Sequence, residues 1–208
     1  MIAYPTKMPE LPQSIPFELH LTVVPLAAEQ ETAFAGYCRQ LLAKPMIIEL
    51  AQGQSRHQPM LNKIVYMKSL DQALAAAHSL AGQLRAAGYP VTRIKIEVPA
   101  TDASLFQNGK LPATHYFEWH GKINYEAQAA LPVLCHDHKV HLSRNTLKHD
   151  PGRRFLTLRV YDTEAVFNEK IAALHKDLHQ QGIGLIKEQA EYCLYDDHEK
   201  LDAGWLPA

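Results

Sequence analysis

Two short segments of this 208-residue sequence place a carboxylate and an imidazole two residues apart: Glu18-Leu19-His20 and Glu118-Trp119-His120. A glutamate next to a histidine orients the ring and raises its pKa, which prepares the ring for proton transfer. On a β-strand a spacing of two puts both groups on one face, roughly 6 to 7 Å apart. Thr22 and Lys122 follow two positions further along, and Arg144 and Arg159 add positive charge suited to an anion. The expected site therefore has His20 and His120 as catalytic groups, Glu18 and Glu118 orienting them, and Thr22, Lys122, Arg144 and Arg159 binding the substrate.

Strands must carry these residues, and the pattern supplies them. Residues 17–23 alternate apolar and polar with period two, and residues 116–123 repeat the alternation with Phe-Glu-x-His at the same place. Around them the chain reads βαββαβ twice. The first pass has strands at 17–23, 46–50, 62–68 and 91–98, and helices at 27–43 and 71–87. The second has strands at 116–123, 140–147, 153–161 and 185–195, and helices at 124–138 and 163–181. Pro45 and Gly88 end the first two helices, Ser69 or Asp71 caps the second, and residues 51–60 read as a loop.

The expected fold class is α+β: a tandem internal duplication of ferredoxin-like βαββαβ units, with antiparallel sheets covered by helices on one face. An extended N-terminal arm (1–15), a first unit (16–99), a linker (100–113), a second unit (114–196) and a C-terminal tail (197–208) complete the division. The uncovered face of the first sheet is expected to carry Glu18, His20, Thr22, Tyr66, Lys68, Arg93, Lys95 and Glu97. That of the second carries Glu118, His120, Lys122, His141, Ser143, Asn145, Thr157, Arg159, Lys187, Gln189 and Glu191. The two faces either meet in a shared cleft or lie open to solvent or a partner.

The segment His20-Leu21-Thr22-Val23 resembles the His-x-Thr/Ser-x motif of the 2H phosphoesterase superfamily. That resemblance implies two pseudo-symmetric lobes, histidines acting as general acid and base on a phosphodiester or cyclic phosphate, and hydroxyls holding the phosphate oxygens. His20 and Thr22 match the motif. The second strand offers His120 but has Lys122 where the hydroxyl belongs, and the other literal match, His141-Leu142-Ser143-Arg144, falls on the second strand of its unit.

Rival readings use the same residues differently. No cofactor is predicted on the acid–base reading, whereas a divalent metal held by Glu18, His20, Glu118 and His120 resembles the duplicated vicinal-oxygen-chelate enzymes, whose modules run βαβββ and lack a second helix. The cluster His136, His138 and His141 has imidazoles but no fixed ligand spacing. A non-catalytic dimeric module for association or regulation is the alternative outside enzymology.

Bulk properties bound the partners. Lysine and arginine total 21 against 22 aspartates and glutamates, a formal charge of −1, so nothing drives non-specific nucleic-acid binding. No apolar run approaches membrane-span length, and the proline-bearing N-terminus does not read as a signal peptide. Three cysteines without a CxxC pair fit a reducing cytoplasm. The expected partners are a small anionic ligand and a second copy in a homodimer.

Overall fold

Alternation along the first strand separates two environments that are both inside the protein. In β1 (Ile15–Val23) Phe17, Leu19, Leu21 and Val23 are buried against helices, while Glu18, His20 and Thr22 point the other way. The computed structural model describes residues 14–107, 112, 114–125, 130–148 and 152–204. Within them β1 is followed by α1 (Ala28–Gln40), β2 (Lys44–Leu50), β3 (His57–Met67), α2 (Leu70–Ala86), β4 (Val91–Pro99) and a 3₁₀ segment (Ala100–Phe106). Then come β5 (Tyr116–Asn124), α3 (Ala130–Asp137), β6 (Val140–Asn145), β7 (Arg153–Val160), α4 (Glu164–Gln180), β8 (Leu185–Asp196) and a short 3₁₀ turn (Glu199–Asp202).

The strands close into one antiparallel barrel in the order β1-β3-β2-β6-β7-β5-β8-β4. This overturns the ferredoxin-like tandem with open sheets. Edge strands present unpaired N–H and C=O groups. Here β2 pairs with β6 and β4 with β8, so the edges that two separate sheets would expose are joined to each other. The faces read as open are the lining of a single lumen, and the helices pack outside.

Apolar side chains on the outer face of the strands meet apolar faces of the helices. Phe34 and Cys38 of α1, Ala73, Ala77, Ala81 and Leu84 of α2, Leu131 of α3, and Phe167, Leu174 and Leu178 of α4 belong to one core with the outward residues of the strands. Ser69 caps α2 by accepting from the Gln72 N–H, and Thr163 caps α4 by accepting from Val166. Pro132 stands in the first turn of α3, where its missing N–H breaks no helical bond. Among the described residues no helix is long and apolar enough to cross a membrane.

Three boundaries differ from the sequence reading in ways that matter for the lumen. β3 begins at His57, so the supposed loop 51–60 contributes its last four residues to a strand. Part of the supposed linker is the 3₁₀ segment Ala100–Phe106. The tail folds back, and its Asp202 is buried. Residues 1–13, most of the expected arm, and Trp205 lie outside the described residues.

One glycine is dictated by packing. A Cβ at Gly121 would overlap the indole of Trp119, which leans along the outer face of β5 and donates to Glu188 at 2.8 Å. Leu21 holds the corresponding position of β1. Gly121→Ala is expected to lower stability by about 1–3 kcal/mol through this overpacking, read from urea unfolding midpoints; an unchanged midpoint would contradict the tight indole packing.

Candidate functional site

The lumen encloses a cavity of about 320 Å³, within the range of small-ligand sites. Its wall includes Glu18, His20 and Thr22 of β1, Arg93, Lys95 and Glu97 of β4, Glu118, His120 and Lys122 of β5, Thr157 and Arg159 of β7, Lys187, Gln189 and Glu191 of β8, and Asp202. Seven of the eight residues named from sequence therefore border one space. Arg144 does not: it lies on the outer side of β6, and its guanidinium pairs with Glu49 at 2.6 Å. Tyr66, on the part of β3 that runs past its pairing with β2, is exposed and outside the cavity.

Each histidine sits in a corresponding frame. On β1, Glu18 lies opposite Glu97 of β4 and His20 lies opposite Asn62 of β3. On β5, Glu118 lies opposite Glu191 of β8 and His120 lies opposite Thr157 of β7. His20 Nε2 is 3.0 Å from Glu97 and 3.6 Å from Glu18. His120 Nε2 is 3.3 Å from Glu191 and 3.4 Å from Glu118, and its Nδ1 is 3.0 Å from the Thr157 hydroxyl. Thus both rings are flanked by carboxylates from two strands.

The electrostatics follow from those contacts. Burial alone would lower the His120 pKa, but Glu118 and Glu191 lift it to about 10, so the ring is an imidazolium at neutral pH. His20 is likewise raised, burial being outweighed by Glu97 and Glu18. Burial would raise the Glu118 carboxyl, yet Arg159 and Lys95 hold it well below the usual carboxylate range. Glu191 moves the other way, pushed up by burial and by Glu97.

Cations and anions alternate along one wall of the lumen. Lys95 bridges Glu97, at 2.7 Å, and Glu118. Arg159 joins Glu118, at 2.6 Å, to Asp202, at 2.7 Å. Arg93 joins Asp202, at 3.0 Å, to Asp196, at 2.5 Å. Gln58 also donates to Asp202 at 3.2 Å. The returning tail therefore supplies a carboxylate that two buried arginines share.

His141 extends this wall from β6, where burial depresses its pKa to about 4. The unfolded chain takes up that proton near pH 6.5 and the folded chain only near 4, so acid favours unfolding in between. Replacing His141 with asparagine is expected to flatten the fall in stability between about pH 6.5 and 4 by up to about 1.4 kcal/mol per pH unit. Urea midpoints of both proteins at several pH values measure it; parallel pH profiles would refute it.

The histidine cluster does not gather. His136 is exposed beside Asp137, His138 bonds Asp177 at 2.7 Å, and only His141 reaches the lumen. The four metal ligands expected from sequence are also redistributed: Glu18 and His20 converge with Glu191, their ligand atoms all within 4.8 Å of one another, whereas Glu118 is engaged by Arg159 and Lys95. Asn62 and Asp202 escape the sequence reading. Asn62 opens the strand expected at 62–68 and shares the parity of Tyr66, which is the signal that could have found it; Asp202 follows the last strand, where no periodicity announces a direction.

No family model and no curated protein sequence matches the chain. Among solved structures, a novel heme-binding protein from Thermus thermophilus aligns over 88% of this chain and 92% of its own, at 12% identity and a TM-score of 0.30. At that degree of overlap the match carries no inference to this chain.

Proposed function

We propose that the barrel binds a small organic anion in its lumen, with a phosphate ester as the first class to examine. One observation carries the reading. Lys122 of β5 and Lys187 of β8 are direct cross-strand partners lining the cavity, and among the described residues neither ammonium group makes an ion pair or hydrogen bond. Like charges placed opposite one another on a sheet are destabilising. An anion between them removes that repulsion and gains two charge-assisted contacts. Arg93, Lys95 and Arg159, by contrast, are already neutralised by carboxylates.

Within this reading His20 and His120 hold the carboxylates in place and keep the middle of the lumen from being uniformly negative. The test is ligand-induced stabilisation: thermal unfolding with inorganic phosphate, phosphomonoesters, cyclic phosphodiesters and dicarboxylates, followed by calorimetric titration of those that raise the midpoint. Saturable binding of at least one class is the expected result, and no stabilisation by any of them would overturn it. Hydrolysis of a cyclic phosphodiester, the reaction implied by the 2H resemblance, is the enzymatic version. It requires activity that His20→Ala and His120→Ala each abolish, and activity indifferent to both would remove it.

A further inference from the structure

Gln189 and Lys95 occupy corresponding places in the two halves of the barrel, and one is neutral where the other is charged. Lys95 of β4 lies opposite His20 of β1, and Gln189 of β8 lies opposite His120 of β5. Lys95 bridges the glutamate two residues further along its own strand, Glu97, to Glu118 two strands away along the wall. Gln189 does the same with its side-chain amide, donating to Glu191 at 2.7 Å and to Glu18 at 3.2 Å. The pair Glu97 and Glu118 thus has an ammonium bridging its members, while the group bridging Glu18 and Glu191 is an amide, with His20 beside Glu18 and His120 beside Glu191.

Beside that second pair stands His20. Its buried Nε2 is within ion-pair distance of Glu97 but makes no aligned hydrogen bond. Glu18, His20 and Glu191 each offer a ligand atom, all mutually within 4.8 Å. Asn62 donates to Glu18 at 2.5 Å and lies 3.4 Å from His20 Nδ1, while Gln189 steadies both carboxylates. Outer contacts of this kind orient ligands toward an ion.

We propose that Glu18, His20 and Glu191 bind a divalent transition-metal ion, which supplies at this place the positive charge that Lys95 supplies between Glu97 and Glu118. Two carboxylates and one imidazole suit manganese, iron(II) or zinc better than calcium, whose sites are all oxygen. The proposal goes beyond anion binding and does not depend on it, because the ion is measured with no anionic ligand present.

The experiment titrates Mn²⁺ into the chelator-treated full chain and counts free ion by electron paramagnetic resonance. One ion per chain is expected. Gln189→Lys, which places an ammonium where the ion would sit, is expected to weaken binding roughly 10- to 100-fold while cooperative thermal unfolding persists. Glu191→Gln is expected to weaken it as well and serves if the lysine variant does not fold. Failure of the wild-type chain to bind Mn²⁺ stoichiometrically, or binding that survives both substitutions, overturns the proposal. A wild-type chain that binds the anion but not Mn²⁺ would refute this site alone and leave the anion reading standing.

Discussion

Glu118→Leu is expected to destabilise the protein by about 3–5 kcal/mol, the loss typical when one member of a buried ion pair is removed. Glu118 is 2% exposed and accepts from both Lys95 and Arg159. Without it, Lys95 retains its pair with Glu97 and Arg159 its pair with Asp202, but both buried cations lose the carboxylate they share. For a chain of this size the loss corresponds to a fall in Tm of roughly 10 °C. Removing one of the stranded cations as well should return part of it. Glu118→Leu with Lys95→Met is expected to be less destabilised than the sum of the single variants, because the second substitution removes a charge that the first left exposed to low dielectric. Additive losses would mean that the two side chains are not energetically coupled and that the barrel tolerates the unpaired ammonium.

The same network explains which parts of the structure were legible in the sequence. Alternation found the inward and outward sides of β1, β4, β5 and β8, since one side packs on helices and the other carries Glu, His, Lys and Gln. It did not reveal what faces the polar side. A period-two strand looks the same whether its polar side meets water or a second wall of polar side chains, and only the β2–β6 and β4–β8 pairings decide between them. Those contacts join residues distant in sequence, as Leu50 with Ser143 and Lys95 with Asp196, and no local pattern encodes them.

The candidate site shows the same division. Glu18, His20, Glu118 and His120 stand out because the spacing repeats, and strand parity carries them to one side. Their pairing does not stand out: Glu97 reaches His20 and Glu191 reaches His120 because β4 and β8 flank β1 and β5 in matching register. Arg144 stands out by its charge alone. Its position in β6 is adjacent to Ser143, which lines the lumen, so its own side chain must point outward. The substitution of Lys122 for the hydroxyl of Thr22, a defect in the phosphoesterase motif, becomes informative once Lys187 is seen across from it.

That pair carries the largest expected effect on binding. A charge-assisted contact contributes about 1.5–3 kcal/mol, so Lys122→Ala and Lys187→Ala are each expected to weaken binding of the anion by roughly 10- to 150-fold, with the double variant weaker still. Stability of the unliganded protein should move the opposite way. Removing either lysine relieves a like-charge contact that costs about 0.2–1 kcal/mol, so the unliganded midpoint should rise slightly or stay where it is. Lys122→Glu sharpens the contrast, since it places an opposite charge facing Lys187, stabilises the empty barrel and repels the ligand. Calorimetric Kd values and urea midpoints measured on the same preparations separate the two effects. A structural role for the lysines predicts that both quantities fall together; a binding role predicts that affinity falls while stability does not. Wild-type binding should also weaken with added salt, because Lys187 is partly open to solvent and its attraction to an anion is screened, and the Lys122→Ala, Lys187→Ala double variant should lose most of that dependence.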